Sequence, residues 1–396
     1  MTKPSQSNPS LEGSRWITTS NRGYSQYAQE EIRRLFPGIK TQILVPAEIL
    51  LVMIGEERSV VPKILREQEP IFLRHIQPVD LEIAIDGLLG KDSIHKQLIQ
   101  GLMDHFIFRE GERIAVQIRK ASGQTILNPG ESKTIIQEEV IRRWGIRPVV
   151  READRILSIY ATGESLFVGL SYPDDNLSDW SGGAIRYRKE EGQISRAQFK
   201  LLEAEQTFGL DFTNYSRALD IGAAPGGWTS LLLDRGLEVT AIDPGDLHPS
   251  LKRDPRLTFY RKNAAEVKLG REEFDLLVCD MSWSPKQMAK LVNELLDALQ
   301  TGGTAIITVK LLHKKPFQTI KEVMKQLEPV LQLQKAKQLF HNREELTLFC
   351  LKTSESSSVL LAAGCGSGKY KDGTYEGTGR GASAMLGKRR RKIGEN

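Results

Sequence analysis

Residues 219–229 read Leu-Asp-Ile-Gly-Ala-Ala-Pro-Gly-Gly-Trp-Thr. An apolar strand that ends in an acid is followed by small residues, and Trp228 to Leu233 then has helical spacing. Small residues let backbone N–H groups approach a ligand at the start of a helix. This stretch therefore predicts the first β-α turn of a nucleotide-type cofactor site. Tight-turn glycines in an ordinary α/β sheet would give a similar pattern, so the prediction depends on the rest of the chain.

Three more apolar runs follow and end in charged residues, namely Glu238–Asp243, Phe274–Asp280 and Thr304–Lys310. Near-continuous apolar runs are typical of strands that are buried on both faces of a parallel sheet. Ligands bind outside the carboxyl ends of such strands. We therefore expect Asp220, Asp243, Asp280 and Lys310 to face one crevice. A dinucleotide site is a less favoured alternative, because the GxGxxG spacing is missing.

Several motifs carry a resemblance to a known family: Ser195 to Glu203, the glycine loop, Val278 to Met281, Thr308-Val309-Lys310 and Asn342-Arg343-Glu344. Together they resemble the FtsJ-like family of S-adenosylmethionine-dependent RNA ribose 2′-O-methyltransferases, within the branch that methylates a cytidine ribose of large-subunit ribosomal RNA. The resemblance covers about Gly192 to Lys352. It implies a Rossmann-like α/β methyltransferase domain and S-adenosylmethionine as the cofactor.

The resemblance also implies a catalytic tetrad of Lys200, Asp280, Lys310 and Glu344. Glu345 stands where the family usually has an apolar residue, so the choice between the two glutamates stays open. Lys310 is the candidate base for the ribose hydroxyl, since burial and a second ammonium both disfavour the charged form of a lysine. Asp280 and the glutamate would orient the two amines, and no metal is required. The alternative is that Lys310 and Asp280 form a structural ion pair.

The predicted cofactor residues surround the glycine loop. Backbone groups of the loop would hold the amino-acid end of S-adenosylmethionine, and Asp243 would accept hydrogen bonds from its ribose. The resemblance adds Ser195, and it adds Asn263 as an acceptor for the adenine amine. Asp280 would serve both cofactor and catalysis. The predicted set is Ser195, Gly222, Ala224, Pro225, Gly226, Gly227, Trp228, Asp243, Asn263 and Asp280.

The N-terminal half predicts an α+β RNA-binding region. Trp16–Ser20 is predicted as a strand, Tyr24–Phe36 as an amphipathic helix and Gln42–Ile54 as a long apolar strand region, which we assign to a ferredoxin-like module at residues 1–65. Residues 66–171 resemble a THUMP RNA-binding domain, with a strand at Arg113–Lys120, a helix at Ser132–Trp144, and a hairpin across Thr162-Gly163.

Basic residues in this region are candidates for phosphate contacts, with a solvated charged surface as the alternative. They are Arg74, Arg119, Lys120, Lys133, Arg142 and Arg143. Residues 172–194 are polar and rich in turn residues, which predicts a linker, and Tyr187 within it is a candidate for stacking on a base. The methyltransferase domain is expected at 195–352 and a disordered basic tail at 353–396.

Composition is consistent with this interpretation. The chain has 396 residues, a formal net charge of +5, and three cysteines without CxxC spacing, which argues against a disulfide framework or a zinc site. We expect no secretory signal, no membrane association and a cytoplasmic location. Two function classes remain: an RNA ribose methyltransferase acting on ribosomal RNA, and a non-catalytic RNA-binding or ribosome-assembly factor that keeps the same fold. Neither the target nucleotide nor the oligomeric state follows from the sequence.

Overall fold

A computed structural model of the protein describes residues 13–85, 90–124, 127–188, 192–311, 315–328 and 330–354, and the backbone of 370–371 and 374–375. Of the predicted tail, only the described residues can be placed. Among them, Tyr370–Lys371 pairs antiparallel with Thr374–Tyr375. The rest of residues 355–396 lies outside the described residues.

The first unit has the order of a ferredoxin-like fold. Its elements are β1 (Ser14–Thr19), α1 (Ser25–Leu35), β2 (Lys40–Val45), β3 (Ile49–Ile54), α2 (Val60–Gln68) and β4 (His75–Pro78). The strands form an antiparallel sheet in the order β2-β3-β1-β4. The region Gln42–Ile54, expected as one strand region, is a hairpin, because the chain turns at Ala47 with φ of 62°. The sheet also continues past the predicted boundary at residue 65, since β4 is its edge strand.

The second unit is a mixed five-stranded sheet with two helices. Its elements are β5 (Leu81–Ala84), α3 (Lys91–His105), β6 (Arg113–Lys120), α4 (Pro129–Trp144), β7 (Arg147–Pro148), β8 (Arg155–Ala161) and β9 (Ser165–Ser171). The strand order is β5-β9-β8-β6-β7. Helix α4 begins earlier than the predicted Ser132, because the side chain of Asn128 accepts the N–H groups of Gly130 and Glu131 and caps the helix there.

The third unit is the predicted Rossmann-like domain. Its strands are β10 (Arg217–Ile221), β11 (Glu238–Ile242), β12 (Leu257–Tyr260), β13 (Phe274–Cys279), β14 (Leu299–Lys310), β15 (Leu331–Lys337) and β16 (Glu345–Lys352). Its helices are α5 (Gln198–Phe208), α6 (Gly227–Asp234), α7 (Pro285–Leu295) and α8 (Pro316–Leu327). The strand order is β12-β11-β10-β13-β14-β16-β15, with the first five strands parallel and β16 antiparallel to both its neighbours.

The chain adds β11 and β12 on one side of β10 and then crosses to add β13 and β14 on the other side. The β10–α6 loop lies at this change of direction, which is where ligands bind in such folds. The predicted fold class, a Rossmann-like domain preceded by an α+β region, is confirmed.

The first unit is docked on the third by buried polar contacts. Asn21 donates to the carbonyl groups of Leu339 and Asn342, at 2.8 and 2.7 Å. The Lys337 amine donates to the carbonyls of Pro70 and Leu73, at 2.6 and 2.8 Å. The two units also share one cluster of buried apolar side chains. The third unit therefore shares a buried interface with the first unit.

Glu31 of α1 holds the segment that makes this contact. Its carboxylate accepts the N–H groups of Ile71 and Phe72 at 2.7 and 2.9 Å. Burial raises the pKa of Glu31 to about 7, although these hydrogen bonds and the nearby Lys337 favour the charged form. Burial also lowers the pKa of Lys337 to about 8.

The predicted linker is packed between the units. Arg151 stacks over the Trp180 ring with its guanidinium carbon 3.1 Å from the ring centroid, and Gln117 donates to the Asp179 carbonyl at 2.7 Å. Arg74 donates to the Gly182 carbonyl at 3.1 Å. The predicted linker is described at 172–188 and 192–194, and its residues Asp179, Trp180 and Gly182 contact the first and second units.

Replacement of Glu31 by alanine is expected to lower the free energy of unfolding by about 3–5 kcal/mol. The change leaves two buried N–H groups without an acceptor and removes the charge near Lys337. Glu30→Ala on the same helix is the control, because Glu30 forms only exposed pairs with Arg33 and Arg34 and should cost about 1 kcal/mol or less. Urea denaturation measures both. Equal losses in the two variants would contradict the role of Glu31.

A pH dependence is expected from Asp220, which lies in β10 and is 1% exposed. Burial raises its pKa to about 7, against the hydrogen bond that Thr229 donates at 2.6 Å. Because the folded pKa exceeds the unfolded one, its stabilising contribution is complete below the unfolded pKa and is lost as pH rises through about 7.

Asp220→Asn should remove this dependence while keeping an acceptor for Thr229. Between about pH 5 and pH 8, the wild type should lose about 2 kcal/mol of unfolding free energy relative to the variant, as measured by urea denaturation. Parallel pH profiles of the two proteins would show that Asp220 does not titrate in this range.

Candidate active site

Two lysines and two carboxylates meet at the carboxyl edge of the parallel strands. Lys200 lies in the first turn of α5 and donates to Asp280 Oδ2 at 2.8 Å and Oδ1 at 3.1 Å. The same amine lies 2.6 Å from Glu345 Oε1. Lys310, the last residue of β14, donates to the other oxygen of Glu345. The four groups therefore form one chain of ion pairs, from Asp280 through Lys200 and Glu345 to Lys310.

The glutamate in this network is Glu345, whereas the family resemblance assigned Glu344. In the antiparallel pairing of β14 with β16, Lys310 lies opposite Glu345. Glu344 lies outside β16, in the bend that precedes it. Glu345 is buried and Glu344 is exposed. Of the two glutamates between which the sequence left the choice open, Glu345 is the one that contacts the lysines.

The charges of the network compensate one another. Burial disfavours the ammonium form of Lys200, but Asp280 and Glu345 outweigh it and raise the pKa of Lys200 above its usual value. Burial likewise disfavours the charged form of Glu345, yet Lys200 and Lys310 hold its pKa below the usual range. Buried charges are stabilised only when they are paired in this way. The two carboxylates thus stabilise the charged form of Lys200.

Thr308 is a further member that the sequence reasoning missed. Its hydroxyl donates to Asp280 Oδ1 at 2.7 Å, two residues before Lys310 on the same strand. Side chains two residues apart on a strand share a face. Period-two spacing within Thr308-Val309-Lys310 was the signal that could have identified it. Thr308 fixes the orientation of Asp280, which leaves both carboxylate oxygens occupied.

The glycine loop lies against the same edge and fits a ligand that approaches its backbone. Gly222 has φ of 80°, and a Cβ atom there would lie 2.8 Å from the Met281 side chain and 3.1 Å from the Asp280 carbonyl. Helix α6 starts at Gly227, so its free N–H groups point to the loop. Backbone donors next to Asp280 suit the carboxylate of an amino-acid group. Of the four loop residues predicted to hold that group, Pro225 has no N–H and Ala224 donates its N–H to Asp243, so Gly226 and Gly227 are the candidate donors.

The Asp243 side chain, just after β11, binds the backbone of this loop. Its carboxylate accepts the N–H of Ala224 at 3.1 Å and of Gly245 at 2.7 Å. Its partial exposure leaves the carboxylate accessible at the crevice, where the sequence predicts a ribose contact. Asp220, expected to face the same crevice, is instead buried beneath it and accepts from Thr229.

Three other predicted cofactor residues make contacts within the protein. Ser195 accepts the N–H of Ala197 at 3.1 Å, and Asn263 accepts the N–H of Ala265 at 3.2 Å. The Trp228 side chain is 3% exposed, and its indole N–H donates to the Ala197 carbonyl at 2.8 Å. The Trp228 ring is therefore part of the core between α5 and α6, and only its backbone can serve a cofactor.

An aromatic cluster borders the network. The Tyr187 ring lies 5.4 Å from Phe199 and 5.5 Å from His341, measured between ring centroids. Glu203, one turn after Lys200, accepts the N–H groups of Phe340 and His341 at 2.7 and 2.9 Å. These contacts place an aromatic cluster beside the helix that carries Lys200. The stacking of an RNA base on Tyr187 stays a prediction.

Two further features were searched for in the described part of the chain. No group of three or more His, Cys, Asp or Glu side chains there is arranged to hold a metal ion. No helix there is long and apolar enough to cross a membrane.

Comparison with known proteins bears on the third unit. Residues 193–352 match the family described as FtsJ-like methyltransferase. Ribosomal RNA large subunit methyltransferase M of Psychromonas ingrahamii is 37% identical over 202 residues, which are 48% of this chain and 54% of that protein. The enzyme of the same name from Halorhodospira halophila is also 37% identical, over 43% of this chain and 50% of that protein. The chain thus spans about half the length of these curated relatives.

A solved structure, TrmN from Thermus thermophilus, aligns with 86% of this chain and 100% of its own at 15% identity, with a TM-score of 0.37, which is too low to support an argument. The family match agrees with the cofactor expected from the sequence, S-adenosylmethionine. Residues 193–352, which carry the lysine–carboxylate network at the strand ends, therefore match an FtsJ-like methyltransferase domain.

Proposed function

We propose that this protein is an S-adenosylmethionine-dependent RNA ribose 2′-O-methyltransferase that acts on large-subunit ribosomal RNA. The observation that carries the proposal is the closed network of Lys200, Asp280, Lys310 and Glu345 beside the glycine loop. The names of the curated relatives support ribosomal RNA as the substrate class. The sheets at residues 13–171 supply affinity for the RNA in this proposal, and the third unit supplies the chemistry.

The two lysines have different surroundings and therefore different roles. Among the described residues, Lys200 contacts two carboxylates and its side chain is 15% exposed, whereas Lys310 contacts one, Glu345, and is 27% exposed. Of the two amines, that of Lys310 is therefore the more accessible to a substrate hydroxyl. Lys310 is the general base in this proposal, and Lys200 remains the charged partner that orients Asp280 and Glu345.

Bound S-adenosylmethionine would supply the methyl group, and the electron pair of the broken carbon–sulfur bond would stay on the sulfur of S-adenosylhomocysteine. The proton of the 2′-hydroxyl passes to Nζ of Lys310 in its neutral form. Glu345 then accepts a hydrogen bond from the resulting ammonium. Positioning of the hydroxyl and removal of its proton are the contributions of the chain's own residues.

Loss of the base should abolish most turnover. Lys310→Ala is expected to lower the single-turnover rate of methyl transfer to ribosomal RNA by about 10²–10⁴-fold, with little change in cofactor affinity. Lys310→Arg should not restore the rate, because a guanidinium stays protonated and cannot accept the proton. Transfer of labelled methyl groups across pH is the measurement.

A near-normal rate in the arginine variant would assign Lys310 an electrostatic or positioning role. Wild-type protein that binds both cofactor and RNA but transfers no methyl group would instead favour the non-catalytic RNA-binding factor.

The adjacent glutamates provide a matched pair of variants. Glu345→Gln removes the carboxylate shared by Lys200 and Lys310, and we expect the transfer rate to fall by about tenfold or more. Glu344→Gln removes an exposed charge one residue away and should leave the rate within about twofold of the wild type. The same methyl-transfer assay compares them. A larger loss in the Glu344 variant would return the assignment to Glu344.

A further inference from the structure

A cleft of about 710 Å³ lies between the first two units and the segment 179–186. We call it the interdomain cleft. Its lining is unusually basic and aromatic, with Arg74, Arg119, Lys133, Arg186, Tyr160 and Trp180 among its residues. Phe340 of the third unit closes one end. The cleft therefore touches every folded unit of the protein.

Two arginines at the base of the cleft are held by neutral groups. Arg119 donates to the Thr19 hydroxyl at 2.9 Å and to Gln77 Oε1 at 2.8 Å. Arg74 donates to the Gly182 carbonyl at 3.1 Å and to the Asn21 side chain. Within the part of the chain that the structure describes, no carboxylate forms an ion pair with either guanidinium. Glu48 also lines the cleft and is the carboxylate whose charge acts on both.

Both cations are partly buried, which is costly. Burial lowers the pKa of Arg74 and of Arg119 to about 10, and Glu48 offsets only part of the effect. Both groups remain charged at neutral pH. A buried charge without an ion-pair partner is normally avoided in proteins, and a bound anion would supply the missing counter-charge.

Polar groups of the same cleft lack partners. Tyr160 is 0% exposed and lies under Arg119, 5.3 Å from the guanidinium carbon to the ring centroid. Its hydroxyl has no hydrogen-bond partner among the described residues, and the same is true of the Trp180 indole N–H. Buried polar groups are almost always paired, so these donors indicate a missing ligand.

The backbone at Gly182 and Gly183 lies very close to the two arginine side chains. Gly182 has φ of 64°, and a Cβ atom there would lie 2.5 Å from the Arg119 guanidinium. A Cβ atom at Gly183 would lie 2.8 Å from the Arg74 side chain. Any larger residue would displace the two guanidinium groups, so this glycine pair keeps both cations at the base of the cleft.

We propose that the interdomain cleft binds a phosphate group of the substrate RNA strand between Arg74 and Arg119. Guanidinium groups recognise phosphate through several N–H donors at once, and hydroxyl and indole donors add further hydrogen bonds. The exposed Arg186 and the partly exposed Lys133 extend the positive charge outward along the cleft. An extended basic groove with aromatic rings is suited to a single strand and is larger than one small anion needs.

The cleft is also connected to the lysine–carboxylate network. Arg74 lies over the Phe340 ring at 5.1 Å, and the Phe340 N–H donates to Glu203, one turn from Lys200. An RNA strand anchored at the arginines would therefore lead towards the network. This inference rests on the proposed function, because it takes RNA as the substrate.

The test uses the full-length protein and a fluorescent single-stranded oligoribonucleotide with hydroxyl ends. Arg74→Gln, Arg119→Gln and Arg186→Gln should each weaken binding, by about tenfold for the two buried arginines, and each should reduce the salt dependence by about one unit of slope. Arg33→Gln, which removes an exposed arginine of α1, should leave the affinity unchanged. Calorimetric binding of S-adenosylmethionine verifies that each variant is folded.

Unchanged RNA affinity in folded Arg74→Gln and Arg186→Gln variants would overturn the proposal. If the Arg119 variant does not fold, these two decide the result. An oligoribonucleotide with terminal phosphates distinguishes the two sources: tighter binding assigns a terminal phosphate, and equal binding assigns an internal phosphodiester. The variants could bind RNA more weakly while the wild type transfers no methyl group. This result would support RNA binding in the cleft and contradict the proposed function.

Discussion

The antiparallel pairing of β14 with β16 is the constraint on which the candidate site depends. It sets Lys310 opposite Glu345 and ties the last strand of the parallel set to the edge of the sheet. Because side chains alternate along a strand, this register determines which of two adjacent glutamates reaches the lysines. A shift by one residue would exchange buried Glu345 for exposed Glu344 and leave both lysines without their shared carboxylate.

The molecule holds buried cations in two different ways. Lys200 and Lys310 are held by Asp280 and Glu345, so the network is balanced by the protein itself. Arg74 and Arg119 are held by carbonyl, amide and hydroxyl oxygens that carry no full charge. Since unpaired charges in a protein interior are costly, the first arrangement stabilises the resting protein, whereas the second leaves an electrostatic deficit that a ligand can fill. This contrast separates a preformed chemical site from a recognition site.

Much of the third unit could be predicted from sequence because buried parallel strands leave a strong signal. The runs ending at Asp243, Asp280 and Lys310 correspond to β11, β13 and β14 to within a residue at their carboxyl ends. Choosing Glu345 over Glu344 required the register of two strands far apart in the chain. The turn at Ala47 requires φ of 62° in a residue type that rarely adopts it, so the hairpin of β2 and β3 carried no local signal. The packing of Trp180 against Arg151 likewise depends on tertiary contact alone.

The docking of the first unit has a consequence for how RNA and chemistry are coupled. The segment at 337–342 holds the N-terminal region through Lys337 and also carries Phe340 and His341, whose N–H groups bind Glu203 on the lysine helix. In the proposed function, the interdomain cleft and Lys310 are therefore connected through this one segment. An RNA strand that is bound in the cleft would reach Lys310 at a fixed distance from the cleft. Phosphate contacts that do not depend on the RNA sequence could then determine which ribose reaches Lys310.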